Sequence, residues 1–124
     1  MILADTAIWV DHLHRGGDPQ MVAALDAGEI LLHPHVIGEI ALGNLHERAA
    51  ILRDLAALPP AVVAGDAEVL ALIERHRLFG TGIGYVDAHL LASALLTPEA
   101  TLWTRDRRLR EAAERLGVAG EPGR

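Results

Sequence analysis

The chain has 124 residues, 51% of them hydrophobic but only 3% aromatic, and a formal net charge of -6. This length suits one ordinary domain, and a core drawn from Ala, Leu, Val and Ile favours helices packed on a small sheet. The absence of cysteine excludes disulfide frameworks, thiolate zinc sites and cysteine nucleophiles.

The opening "MILA" reads as a short buried strand, followed by a helix from Thr6 to about Arg15. No basic leader precedes it, and Asp5 and Asp11 break the apolar run. The expectation is neither a signal peptide nor a membrane span but a soluble, cytoplasmic protein. "DPQMVAALDAG" has the form of a helix with Asp18 as cap, Pro19 in the first turn and Gly28 as stop. "EILLH" is the next strand candidate. From His35 to about Leu58 the pattern is helical, as one or two helices, ended by Pro59 and Pro60. "AVVAG" is a further strand candidate, and Asp66 is placed to cap the periodic helix "AEVLALIERHRLF". The glycine loop "GTGIG" leads into "YVDAHLLASALL". Then come a strand, "TLW", a last helix from about Arg107 to Leu116, and a tail from about 118 to 124 that offers one more short strand. Strands alternating with helices predict a single α/β domain over residues 1–124 with a small, mostly parallel central sheet.

Ligands of such sheets bind beyond the carboxyl ends of the strands. Asp5 directly follows "MILA", and Asp106 lies just after "TLW". Glu39 and Asp87 interrupt helical stretches that are otherwise apolar. Each has an ordinary explanation. Asp5 and Asp106 could cap the helices that follow, a role worth about 1 kcal/mol; Asp87 could complement a helix dipole; Glu39 could face solvent. Together they suggest more. Two carboxylates about 5 Å apart repel by on the order of 3 kcal/mol at an effective dielectric of about 20. All eleven basic residues are arginine, so no lysine can neutralise them. Proton sharing, an arginine or a divalent cation remains, and a hard ion such as Mg²⁺ or Mn²⁺ prefers carboxylate oxygens and water. Without these four, the 17 acidic residues fall to 13 against 11 basic ones, so most of the net charge resides in the four.

The stretches "MILADTAIWVDHL", "VIGEIALGNL", "GTGIGYVDAHLLASALL" and "LWTRDRRLREAAERLGV" resemble the motifs of PIN-domain nucleases. More closely, they resemble the VapC-type toxins of type II (VapBC) toxin-antitoxin pairs. The resemblance runs from the first strand to the last helix. It implies a three-layer α/β/α fold and an endoribonuclease dependent on Mg²⁺ or Mn²⁺ that hydrolyses phosphodiester bonds of structured RNA, of the tRNA or rRNA class. A homodimer and inhibition by a cognate VapB-type antitoxin are implied as well. Asp5, Glu39, Asp87 and Asp106 fall on the family's acidic positions, and Thr104 on one that commonly carries a hydroxyl. Phosphodiester hydrolysis needs an activated water and charge relief at phosphate, which bound metal supplies. Asp5, Asp87 and Asp106 are therefore expected as metal ligands. Glu39 is expected to ligate or orient the attacking water, Thr104 to support the ligands, and Arg105, Arg107 and Arg108 to hold the RNA backbone. The alternative is a non-catalytic PIN-type module that binds RNA or a protein, whose usual mark, loss of an acidic position, is absent.

Receiver-type signalling domains and aspartate-nucleophile phosphotransferases also gather carboxylates at strand ends, but both rely on a lysine that this chain lacks. In "GTGIG" the third glycine of a dinucleotide fingerprint is replaced by Tyr85 and no clear strand precedes the loop, which leaves a tight turn. His12 with His14 and His33 with His35 are spaced two apart. There is no HExxH and no helical pair four apart, so the seven histidines read as surface or structural residues, with His89 facing away from Asp87. Trp9 and Trp103 sit in apolar runs and read as core or dimer contacts.

Overall fold

Among the described residues, three strands and seven helices follow in the order β1 (Ile2–Ala4), α1 (Thr6–His14), α2 (Pro19–Asp26), β2 (Ile30–Leu31), α3 (Pro34–Ala41), α4 (Arg48–Ala56), α5 (Asp66–Arg75), α6 (Tyr85–Leu96), β3 (Thr101–Trp103) and α7 (Arg107–Arg115). The structure is a computed structural model and describes residues 1–123. β1 lies at the centre of a parallel sheet in the order β2-β1-β3, with Leu3 opposite Leu31 on one side and Leu102 on the other. Isolated parallel bridges, Leu32 with Pro60 and Leu102 with Ala119, widen the sheet at both edges. All three residues of β1 are buried, as a parallel strand covered on both faces requires. Among the helices, α1 packs on α3, α3 on α4 and α5 on α6, and α6 also packs on β3.

Local chemistry accounts for most boundaries. Asp18 accepts the amides of Gln20 (2.9 Å) and Met21 (3.2 Å) at the start of α2, Pro19 fills the first helical position, and the chain leaves through Gly28 at φ 69°. An unbroken buried run from Ala88 to Ala94 makes α6 a core helix, whereas α7 buries only Leu109, Ala112 and Ala113. In the tail, Leu102 donates to the Val118 carbonyl (2.6 Å) and accepts from Gly120 (3.1 Å). A Cβ at Gly120 would fall onto the Thr101 side chain, so this edge pairing depends on glycine.

Three expectations are corrected. "AVVAG" is not a strand: Ala61 still donates to Leu32 (2.9 Å), but the Val62 amide turns away to Thr97 Oγ1 (2.8 Å) and the ladder stops. Asp66 does not cap α5. Gly65 occupies that position, Glu68 reaches back to its amide (3.0 Å), and Asp66 is the first helical residue. That helix also ends at Arg75, with Arg77 left-handed at φ 52°, so "RLF" lies beyond it. The helical stretch after His35 is two helices, divided near Gly43 and restarted at Glu47, which is left-handed at φ 51°.

Candidate active site

The chain runs from β1 to β2 on one side and later returns to β3 on the other. The carboxyl ends of β1 and β3 therefore flank the point where connections diverge, the usual position of a ligand crevice. Asp5 leaves β1 there, its amide donating to the Trp103 carbonyl at the end of β3 (3.0 Å). The side chain is buried at 7% exposure and serves two purposes: Oδ1 accepts the Ile8 amide (3.3 Å) to cap α1, while Oδ2 accepts the Thr104 hydroxyl. Thr104 in turn accepts the Asp106 amide (3.1 Å), and Asp106 Oδ1 caps α7 at Leu109 (2.9 Å). Asp87, in the first turn of α6, accepts the Gly84 amide on Oδ2 (3.0 Å). Three of the carboxylates thus sit on the N-terminal ends of three helices, where the helix dipoles favour negative charge.

Glu39 completes the group from α3. It is exposed and accepts the Thr6 hydroxyl on Oε1 (2.5 Å). Burial pushes the Asp5 carboxyl above its ordinary range, and the charges of Asp87 and Asp106 add to this, against the hydrogen bonds from Thr104 and Ile8. Burial likewise raises Asp87, helped by Asp106 and Glu39 and opposed by the Gly84 amide. The four side chains feel one another as a cluster of like charge. Among the described residues, none of the four forms an ion pair. A set of oxygen donors without a basic partner suits a hard divalent cation.

The nearby arginines are placed differently from one another. Arg105 is held by Asp11 (3.1 Å) and Asp18 (2.9 Å), with its guanidinium 5.8 Å from the Trp103 ring centre, so it ties the turn after β3 to the second half of α1 and the start of α2. It also holds the Asp18 carboxyl below its usual range. Arg107 lies 3.6 Å from Glu111 one turn along α7. Arg108 crosses the glycine loop so closely that a Cβ on Gly82 would stand 2.6 Å from its Nη1.

Residues 2–115 match the PIN domain family. The chain belongs to that family. It is 47% identical over 119 residues to Ribonuclease VapC32 of Mycobacterium tuberculosis, in two strains, with 96% of this chain and 95% of the relative covered. Its backbone also resembles the crystal structure of FitAcB from Neisseria gonorrhoeae, at a TM-score of 0.61 and 23% identity over 96% of this chain and 95% of that one. The second likeness supports the α/β fold of this PIN domain.

Sequence reasoning passed over two features of the site. Thr6, one residue after Asp5, fixes Glu39 across 33 positions of chain, and no local pattern announces such a contact. The second feature is carried by the same two helices as Glu39 and Asp87. His33, His35 and His89 converge where α3 and α6 begin, with the His35 and His89 rings stacked at 4.5 Å. His33 and His89 are fully or almost fully buried, and burial pushes the His33 ring down to about 4. His89 does turn away from Asp87, toward Asp66 of α5 (3.1 Å). The signal was present in the residue types but split between distant segments. Trp9 and Trp103 are core residues, at 2% exposure each.

Proposed function

We propose that this PIN domain is an endoribonuclease whose activity requires a divalent cation of the Mg²⁺ or Mn²⁺ kind. The observation that carries the reading is the convergence of Asp5, Glu39, Asp87 and Asp106 with no basic side chain among them. The relationship to a VapC ribonuclease over almost the whole chain supports it. Asp5, Asp87 and Asp106 are the residues to hold the cation, which when bound would relieve charge on the scissile phosphate and acidify an attacking water. The rest of the task falls to the chain. Thr104 keeps one oxygen of Asp5 in place and ties the turn carrying Asp106 to it. Glu39, anchored by Thr6 at the open side of the cluster, is placed to receive a proton from that water. The N-terminal ends of α1, α6 and α7 lower the cost of gathering so much negative charge. Structured RNA of the tRNA or rRNA class is the proposed substrate, with Arg107 and Arg108 on the adjoining face of α7 contacting its backbone. A VapB-type antitoxin is the proposed inhibitor, and a cytoplasmic homodimer the proposed working form. No helix among the described residues is long and apolar enough to cross a membrane.

The test is cleavage of total RNA by purified protein with Mg²⁺ or Mn²⁺, beside EDTA and Asp5→Asn controls. Discrete fragments absent from both controls are the expected result. A folded, antitoxin-free protein that binds RNA yet leaves host RNA intact would instead establish the non-catalytic binding module.

A further inference from the structure

Outside the carboxylate cluster, one group of polar side chains lacks the partners that burial demands. His33 Nε2, His35 Nδ1 and His89 Nδ1 are all buried without a hydrogen bond. The three residues each offer a ring nitrogen within 4.8 Å of the others. A buried polar atom left unpaired is costly, so a place where three converge calls for an occupant.

The outward hydrogen bonds of the rings fix what that occupant meets. The His89 Nε2 lies 3.1 Å from Asp66 Oδ1, and a carboxylate there accepts; the ring proton is on Nε2, and Nδ1 presents a lone pair. Tyr85 donates to the same oxygen at 2.8 Å and steadies it. In His33 the polarity is reversed. Its Nδ1 accepts the His35 amide at 3.0 Å, capping α3, so the neutral ring carries its proton on Nε2. His35 has no such constraint on Nδ1 and can present a second lone pair beside that of His89.

We propose that this pocket is a second metal site, for a borderline transition-metal ion such as Zn²⁺, ligated by His35 Nδ1 and His89 Nδ1. His33 Nε2–H donates to a water that fills a further coordination position. Imidazole donors suit Zn²⁺, Co²⁺, Ni²⁺ and Cu²⁺ and not Mg²⁺, so this site and the carboxylate cluster select different ions. Asp66 behind His89 is the carboxylate–histidine pairing that orients metal ligands. Zinc–nitrogen bonds of about 2.1 Å bring two tetrahedral ligands to roughly 3.4 Å apart. The two rings are stacked, and in-plane lone pairs meet at one ion only when the rings are no longer parallel, so binding requires His35, half-buried at the edge of the pocket, to turn out of the stack toward His89 Nδ1. The consequence is structural. α3 carries both His35 and Glu39, and α6 carries both Asp87 and His89, so an ion here would fasten together the two helices that bring half of the carboxylates.

The experiment is titration of untagged, EDTA-treated protein with Co²⁺, read by its visible d–d absorption, and with Zn²⁺ in competition against a chelating dye. Melting temperature is followed in parallel. One ion per chain is expected, with a rise of several degrees in Tm. Asp5→Asn should leave both readouts intact, while His35→Ala and His89→Ala, shown folded by circular dichroism, each lose at least tenfold in affinity. Asp66→Asn, on an exposed side chain, should weaken binding about tenfold without disturbing the core. If Co²⁺ gives no absorption, or if binding survives both histidine substitutions or disappears in Asp5→Asn, the proposal fails. In that case a buried water, accepting from His33 and donating to His35 and His89, satisfies the three rings.

Discussion

At the scale of single residues, the two readings available for Asp5 and Asp106 turn out not to compete. A carboxylate has two oxygens: one caps a helix while the other joins the cluster or faces its opening. This double use makes the stability of the site depend on charge. The folded-state pKa of Asp5 is raised, chiefly by burial, so the folded protein holds that proton at a pH where the unfolded chain has lost it. Stability from this group is present below its unfolded value and is lost as pH rises through the raised folded value. In EDTA, Asp5→Asn should therefore melt higher than wild type at pH 7, with the gap closing toward pH 4, while cleavage is abolished. A gap independent of pH would show that burying the Asp5 charge does not strain the metal-free site. Thr104 is tested in the opposite sense. Thr104→Val removes a buried hydroxyl that serves both Asp5 and the Asp106 amide, costing about 1–3 kcal/mol. Denaturant melts should show that loss for Val and recover most of it in Thr104→Ser, with cleavage following the same order.

At the scale of elements, the sequence was most legible where a boundary depends on a single local device. Asp18 with Pro19 and Gly28 around α2, and the short apolar run "TLW" that becomes β3, could be read directly. "AVVAG" misled because β-branched residues beside a sheet look like a strand, whereas the Val62 amide has a better partner in Thr97, 35 residues away. Asp66 misled for a related reason: it is a favoured cap residue, but Glu68 and Gly65 close the helix without it, which frees it for Tyr85 and His89. The four carboxylates were legible because polar residues in apolar runs stand out. The histidines were not, since His33 and His35 in one helix start meet His89 in another only after folding. One element start also carries a cost that sequence patterns do not display. Glu47 begins α4 in the left-handed region without a side-chain cap. Glu47→Asn should stabilise the protein by about 1 kcal/mol, since asparagine both tolerates that conformation and caps helices. Equal denaturant midpoints for the two proteins would mean the turn is held without strain.

At the scale of the whole molecule, the charge balance sets a problem that the site itself resolves. A protein of net charge -6 must approach an RNA that is itself a polyanion. The four clustered carboxylates would lie closest to the bound phosphate, so before any cation binds they repel substrate more strongly than acidic residues scattered elsewhere. Arg105 and the arginines of α7 offset only part of this, because Arg105 is occupied by Asp11 and Asp18 and Arg107 neighbours Glu111. Converting Asp5, Asp87 and Asp106 together to Asn takes the net charge from -6 to -3 and removes the repulsion where it is strongest. With three charges about 10 Å from a phosphate in water and a Debye length of about 10 Å, the triple variant should bind RNA about twofold more tightly than wild type in EDTA. Adding Mg²⁺ should tighten wild type toward the variant and leave the variant nearly unchanged. The two binding curves in EDTA, measured at one fixed monovalent salt concentration, decide the matter. Coincident curves would place the RNA away from the carboxylates, and the site proposed for cleavage would then lie outside the RNA-binding surface.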